Sequence, residues 1–261
     1  MTVQNRPRHF LVASDFDQTL SFEDSGQVLA DLVGLEGFAK RVAGLSQINF
    51  VQQGAELAYL LRHDPEFRCV RREHLWEAGR RVRLKDNVRE FLHFLQQGVE
   101  DIRFSFQVIS AAPQEVVEAA LQGLVHPDQI VATRFSYAES GEINGVLKVS
   151  AGYGKVAELE RIQELHQVRP DHTIYLGDGS SDLHVMHQVN QGDGLTIAVS
   201  ESQVTRVARR TVLSDNALSV LVPILEETLG WTPAAIREVF EPYGLVLREW
   251  GRARTDWLTL V

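Results

Sequence analysis

Two acidic strings, each placed directly after an apolar run, constrain this chain most. Asp15-Phe16-Asp17-Gln18-Thr19-Leu20 follows His9-Phe10-Leu11-Val12-Ala13-Ser14, and Gly177-Asp178-Gly179-Ser180-Ser181-Asp182 follows Thr173-Ile174-Tyr175-Leu176. Short β-prone runs bounded by turn residues read as buried strands. Carboxylates at the ends of buried strands are costly unless a cation holds them there. For ligands that offer only oxygen, Mg²⁺ shared with a phosphate is the economical partner.

Further strand-like runs occur at 102–110 and 195–199, and helical patterns at 115–124 and 155–166 lie between the later strands. Strands alternating with helices predict an α/β fold, a doubly wound parallel sheet of Rossmann-like type. In such sheets, sites gather beyond the carboxyl ends of the strands. Asp15, Ser110 and Asp178 each stand where a strand-like run gives out. From about Phe22 to Asp86 only helical periodicity appears, with Leu29, Leu32 and Val33 on one stripe and Phe50, Leu57, Leu60 and Leu61 on another. That stretch is too long for an ordinary loop, and it predicts an inserted helical cap over 21–87, with the α/β core formed by 1–20 and 88–261. The run 130–147, which contains Gly141-Glu142-Ile143-Asn144-Gly145, predicts a hairpin. The tail from Asp215 reads as helical and then irregular, and it carries Trp231, Trp250 and Trp257.

The net charge of -9 argues against a general nucleic-acid binder. A single cysteine, Cys69, excludes an intramolecular disulfide and a cysteine-based zinc cluster. The polar start and the lack of a membrane-length apolar run predict a cytoplasmic protein without membrane association, monomeric or homodimeric.

Four motifs in order give the chain its resemblance to a known family. They are Asp15-x-Asp17-x-Thr19, a strand ending in Ser110, Lys155 opening a helix, and Gly177-Asp178-Gly179-x-x-Asp182. From Phe10 to about Val222 the pattern resembles the haloacid dehalogenase superfamily, in particular its phosphoserine-phosphatase-like branch, subfamily IB. The resemblance implies a Mg²⁺-dependent phosphatase of a small phosphorylated metabolite, phosphoserine-like or sugar-derived. Asp15 would be the nucleophile, giving an aspartyl-phosphate. Asp17 would protonate the leaving group and then activate water, while its carbonyl serves as a metal ligand. Asp178 would complete the metal site, with Asp182 binding through water or supporting from behind. Lys155 would neutralise charge, with Lys148 as its competitor. Ser110 and the Ala111 N–H would hold phosphate oxygens, and Thr19 offers a further hydroxyl.

In phosphoserine phosphatases an acidic residue shortly after the first motif touches the substrate amine. Glu23 and Asp24 occupy that neighbourhood, and Asp24 matches more closely. Arg62, Arg71, Arg72, Arg80 and Arg81 are candidates for a substrate carboxylate, although such charge runs are usually solvated faces. Ser110-Ala111-Ala112-Pro113 departs from the Gly-Gly common after that serine, which sets phosphoserine itself in question. His184 and His187 suit a helix better than a Mg²⁺ site, because hard cations prefer oxygen. A phosphotransferase, a carbon–halogen hydrolase, a receiver-like regulatory module and a silent binding protein are the alternatives. The acid at Asp17 counts against a dehalogenase, Asp17 and the helical insertion count against a receiver-like module, and EDTA-sensitive phosphate release would eliminate a silent binding protein.

Overall fold

The computed structural model of the chain describes residues 8–47 and 52–243. The first strand, β1 (Arg8–Ser14), is followed by the helices α1 (Ser25–Val33), α2 (Phe38–Gln47), α3 (Glu56–His63) and α4 (Arg72–Arg81). Next come α5 (Val88–Gln97), β2 (Ile102–Pro113), α6 (Gln114–Ala120), β3 (Ile130–Tyr137), β4 (Ile143–Lys148) and α7 (Tyr153–His166). The chain continues through β5 (Thr173–Gly177), α8 (Leu183–Gln191), β6 (Leu195–Ala198), β7 (Arg210–Thr211), α9 (Leu221–Leu229) and α10 (Pro233–Phe240).

The strands form one seven-stranded sheet in the order β4-β3-β2-β1-β5-β6-β7. All neighbours run parallel except β3 and β4, which are antiparallel. This is the doubly wound α/β architecture that the alternation of strands and helices predicts. Alternate residues of β1 face opposite ways, as the two-residue period of a strand requires. Phe10 and Val12 join the cluster built with α5, α6 and α9, while Leu11 and Ala13 join the cluster built with α7 and α8. Both faces of the sheet are therefore covered, which is why its strands read as nearly continuous apolar runs.

Chain order reverses on either side of β1, because β2 lies on one flank and β5 on the other. A crevice at that switch point is where such sheets place their ligands. Ser14 stands level with Val108 of β2 and Leu176 of β5. The carboxyl ends of all three strands therefore open onto the same space.

Several boundaries differ from the sequence-based expectation. β2 does not stop at Ser110 but runs on to Pro113 through a register shift between Ile109 and Pro113. α6 ends at Ala120, short of the predicted Leu124, and α7 begins two residues before Lys155. The hairpin is present, with its turn at 138–142 closed by Ala138 N–H to the Glu142 carbonyl, so that Ile143, Asn144 and Gly145 belong to β4. Between β1 and α5 the described residues include the four helices α1–α4; a single bridge, Ser21–Leu84, ties the two ends of the segment together, and single bridges at Arg71–Glu142 and Asp86–Asn216 join it to the rest. Leu29, Leu60 and Leu61 are buried there as their periodicity predicts, in a cluster continuous with the sheet's apolar face. Phe50, Trp250 and Trp257 lie outside the described residues. Trp231 packs at the margin of the core and donates its indole N–H to Glu100. No helix among the described residues is long and apolar enough to cross a membrane.

Candidate active site

Asp15 continues the sheet by one more bond, from its N–H to the Leu176 carbonyl at 2.9 Å, before the chain turns at 16–21. That turn folds its Phe16 side chain into the core and leaves Asp15 at the strand mouth. Both carboxylate oxygens of Asp15 are engaged. Oδ1 accepts the Phe16 N–H at 2.6 Å, and Oδ2 meets Lys155 Nζ at 2.7 Å.

Lys155 is completely buried and has a second carboxylate, Asp182 Oδ1, at 2.6 Å. Desolvation alone would lower its pKa, but the charges of Asp15 and Asp182 outweigh it and raise the ammonium above the ordinary lysine value. Lys148 does not compete, because it pairs with Glu158 at 2.6 Å. Asp182 also receives the Tyr175 hydroxyl at 2.7 Å and the N–H groups of Asp178 and Gly179, each at 3.2 Å. A carboxylate so fully supplied with donors acts from behind and fixes the loop that presents Asp178. Burial first, then the negative charge of Asp182, keeps the Tyr175 phenol well above its usual pKa, so it donates. Gly177 makes this packing possible, since a Cβ there would sit 2.6 Å from the Asp182 carboxyl carbon. Ser200 donates its hydroxyl to the Asp178 carbonyl at 2.5 Å, and Ser202 donates to the same oxygen.

Oxygens of Asp15, Asp178 and Asp182 lie within 4.8 Å of one another. Burial, then the charges of Asp182 and Asp15, push the Asp178 carboxyl up to about 8. Asp15 is pushed up to about 6 by burial, against the pull of Lys155. Carboxylates held together at such a cost call for a further cation, and an all-oxygen donor set suits a hard divalent ion. His184 stacks on Tyr153 with ring centroids 4.1 Å apart, and neither it nor His187 belongs to the group.

Asp15, Asp17, Asp24, Ser110, Ala111 and Asp178 line one cavity of about 210 Å³. Lys155 and Asp182 stand immediately behind its floor. Asp17 points its carboxylate at the start of α1, where Ser25 donates its N–H at 3.0 Å and its hydroxyl at 2.9 Å. Burial first, then the charges of Asp24 and Asp15, raises the Asp17 carboxyl well above the usual carboxylate range. Ser110 is buried, and its Oγ accepts the Ala112 N–H at 3.2 Å.

Other predicted residues lie elsewhere. Thr19 is buried in the turn with its hydroxyl unpartnered and does not reach the cavity wall. The Glu23 carboxylate is held by Arg83, at 2.5 Å from Nε and 3.0 Å from the backbone N–H, and is also off the wall. Arg71 pairs with Glu142, Arg72 with Glu115, and Arg80 and Arg81 with Glu77; these four and Arg62 lie away from the cavity.

Three contributors were not legible beforehand. Ser25 is recognisable only once α1 is known to begin beside Asp17. Lys85 is buried near Asp178, whose charge opposes the lowering that desolvation imposes on the lysine. Gly54 adopts a positive φ of 89°, and a Cβ there would lie 2.7 Å from Ser181 Cβ and 3.1 Å from Ala151 Cβ. The loop before α3 thus closes onto the strand-end loops.

Residues 12–187 match the family described as haloacid dehalogenase-like hydrolase. The chain belongs to that family. Among solved structures, a phosphoserine phosphatase in apo form shares the fold with a TM-score of 0.66 at 19% identity, over 82% of this chain and 98% of that one. A phospho-aspartyl intermediate analogue of phosphoserine phosphatase aligns equally well, with a TM-score of 0.66 and 19% identity over 83% and 99% of the two chains. A phosphoserine phosphohydrolase-like protein from Francisella tularensis gives a TM-score of 0.62 at 16% identity, over 82% and 99%. No curated protein matches the sequence. In this haloacid dehalogenase-like hydrolase, Asp15 and Asp178 each stand directly after a strand of the central sheet.

Proposed function

We propose that this hydrolase is a Mg²⁺-dependent phosphatase of small phosphate monoesters that works through an aspartyl-phosphate on Asp15. The observation that carries this reading is the convergence of Asp15, Asp17, Ser110 and Asp178 on one small cavity, with Lys155 clamped against Asp15 from behind. A structural neighbour captured as a phospho-aspartyl intermediate analogue supports the same reading. Asp15, the Asp17 carbonyl and Asp178 would hold the ion, which supplies charge neutralisation around the phosphoryl group.

In the first step an Asp15 oxygen attacks phosphorus and the bond from phosphorus to the ester oxygen breaks. Asp17 gives its proton to that departing oxygen, so the alcohol leaves neutral. In the second step Asp17 takes a proton from water. The water oxygen attacks phosphorus, the Asp15–phosphorus bond breaks, and inorganic phosphate and the free Asp15 carboxylate are restored. Ser110 Oγ and the Ala111 N–H orient the phosphoryl oxygens, and Lys155 offsets charge through Asp15. Ser25 holds the Asp17 carboxyl at the cavity wall through both of its oxygens. The segment 21–87 acts as a cap over the core formed by 1–20 and 88–261, excluding water and selecting the alcohol.

Phosphate release from p-nitrophenyl phosphate is the test. It should require Mg²⁺, stop with EDTA, and vanish in Asp15→Asn while the circular dichroism spectrum is unchanged. Wild-type turnover in Asp15→Asn would rule the mechanism out.

A further inference from the structure

The cavity's helical wall carries charge of one sign only. Asp24 and Glu56 line it together with Phe38, Val42 and Leu57, and no lysine, arginine or histidine of the described residues does. Of the arginines considered for a substrate carboxylate, Arg71, Arg72, Arg80 and Arg81 are paired with glutamates, and neither they nor Arg62 line the cavity. Resting on the phosphatase reading, we infer that the alcohol leaving this site is a short aminoalkyl alcohol that bears an ammonium and no carboxylate.

Glu56 is the residue that carries the inference. It is buried, at 6% exposure, yet reaches the cavity. Its Oε1 accepts the Ser46 hydroxyl and its Oε2 the Gly54 N–H, both at 2.7 Å. Those bonds fix the carboxylate in place and use about half of its acceptor sites, so the rest are open to a ligand. Asp24 Oδ1 is pinned by the Gln27 N–H at 3.1 Å at the start of α1. Loss of hydration first, then the charge of Glu56, lifts the Asp24 carboxyl above its ordinary value.

A primary ammonium supplies three N–H donors and a positive charge to share between two carboxylates. Phe38, Val42 and Leu57 offer the adjoining carbon chain an apolar seat. A second divalent ion would need about six oxygens around it, which this partly apolar wall does not provide. On that wall a substrate carboxylate would meet like charge with no basic side chain of the described residues to answer it, and such unpaired contacts reject a ligand strongly. Glu56, rather than Asp24 alone, thus separates this cavity from one built for an amino acid.

The test compares kcat/KM, with Mg²⁺ present, for O-phosphoethanolamine, phosphoserine, glycerol phosphate and p-nitrophenyl phosphate. Phosphoethanolamine should exceed both phosphoserine and glycerol phosphate by at least about tenfold. In Glu56→Gln the ratio of phosphoethanolamine to p-nitrophenyl phosphate should fall by at least about tenfold. Because Glu56 also anchors Gly54, Val42→Arg serves as a second variant. A cation on the same wall should shift the ratio of phosphoserine to phosphoethanolamine upward by at least about tenfold. Equal or better turnover of phosphoserine or glycerol phosphate by the wild type, or unmoved ratios in the variants, would overturn the inference and leave the phosphatase reading standing. Absence of turnover on all four esters would overturn that reading itself.

Discussion

At the sheet end of the cavity, Asp15 and Asp182 share one buried lysine from the start of α7, and their other hydrogen-bond donors come from the strands and their loops. At the helical end, Asp24 and Glu56 are held by helix-start and loop N–H groups, and no basic side chain of the described residues lines that wall. The sheet end is closed in on itself, which suits a chemistry that never varies. The helical end leaves acceptors open, which suits a wall that selects a ligand. Changes at the first end should therefore abolish turnover of every ester, while changes at the second should alter rates and ratios.

The largest effect is expected at Lys155. Lys155→Met leaves Asp15 and Asp182 buried side by side without their cation, and breaking a buried ion pair in this way costs about 3–5 kcal/mol. Chemical denaturation should show that loss, and phosphate release should fall to background for all esters. Wild-type stability would mean that the sheet end is less closed than its geometry indicates.

A smaller effect is expected where the two ends touch. Gly54→Val places a branched side chain where Ser181 and Ala151 already lie, at a positive φ of 89° that valine resists. Displacing that loop by an ångström should reduce kcat/KM by about 10–100-fold with the helical content preserved. Unchanged kcat/KM on both p-nitrophenyl phosphate and an alkyl ester would detach the helical segment from catalysis.

The smallest effect is a pH dependence. Folding raises the Asp178 carboxyl from 3.8 to about 8. The sign follows from proton linkage, because the folded state holds this proton more tightly than the unfolded state. The contribution to stability is full below about pH 4 and is lost as pH rises through about 8. In EDTA, Tm should therefore decline over that window, and Mg²⁺ should raise Tm more at pH 8 than at pH 5. An increment from Mg²⁺ that is equal at both pH values would contradict the assignment of Asp178 to the ion.

The same contrast explains what could be read from the sequence. The sheet end is encoded locally. Asp15 and Asp178 follow their strands within one residue, so the period of the strands and the position of the acids suffice to bring them together. Lys155 follows from its place at the opening of α7. Parallel pairing of β1 with β2 and β5 then places Ser110 opposite without further information. The helical end is encoded by tertiary contacts. Helical periodicity identifies Leu29, Leu60 and Leu61 as buried, but it cannot say which polar residue of a helix faces a cavity on another element. Glu56 at the start of α3 looks like an ordinary acidic first turn, and Glu23 looks as well placed as Asp24 until Arg83 captures it across 60 residues. Thr19 belongs to the first motif yet is buried in the turn at 16–21 with its hydroxyl unpartnered, a placement that motif spacing alone does not reveal.

The central claim is that the nucleophile is Asp15, and it can be tested by trapping the phosphoryl group. The enzyme is mixed with a phosphate ester and Mg²⁺, quenched in acid within one turnover, and reduced with borohydride, and the peptide containing residue 15 is sequenced by mass spectrometry. A phosphorylated aspartate is reduced to homoserine, so homoserine at position 15 is the predicted result, absent without Mg²⁺ and absent in Asp15→Asn. Ester hydrolysis that leaves Asp15 unmodified, or modification at another acid, would contradict the account.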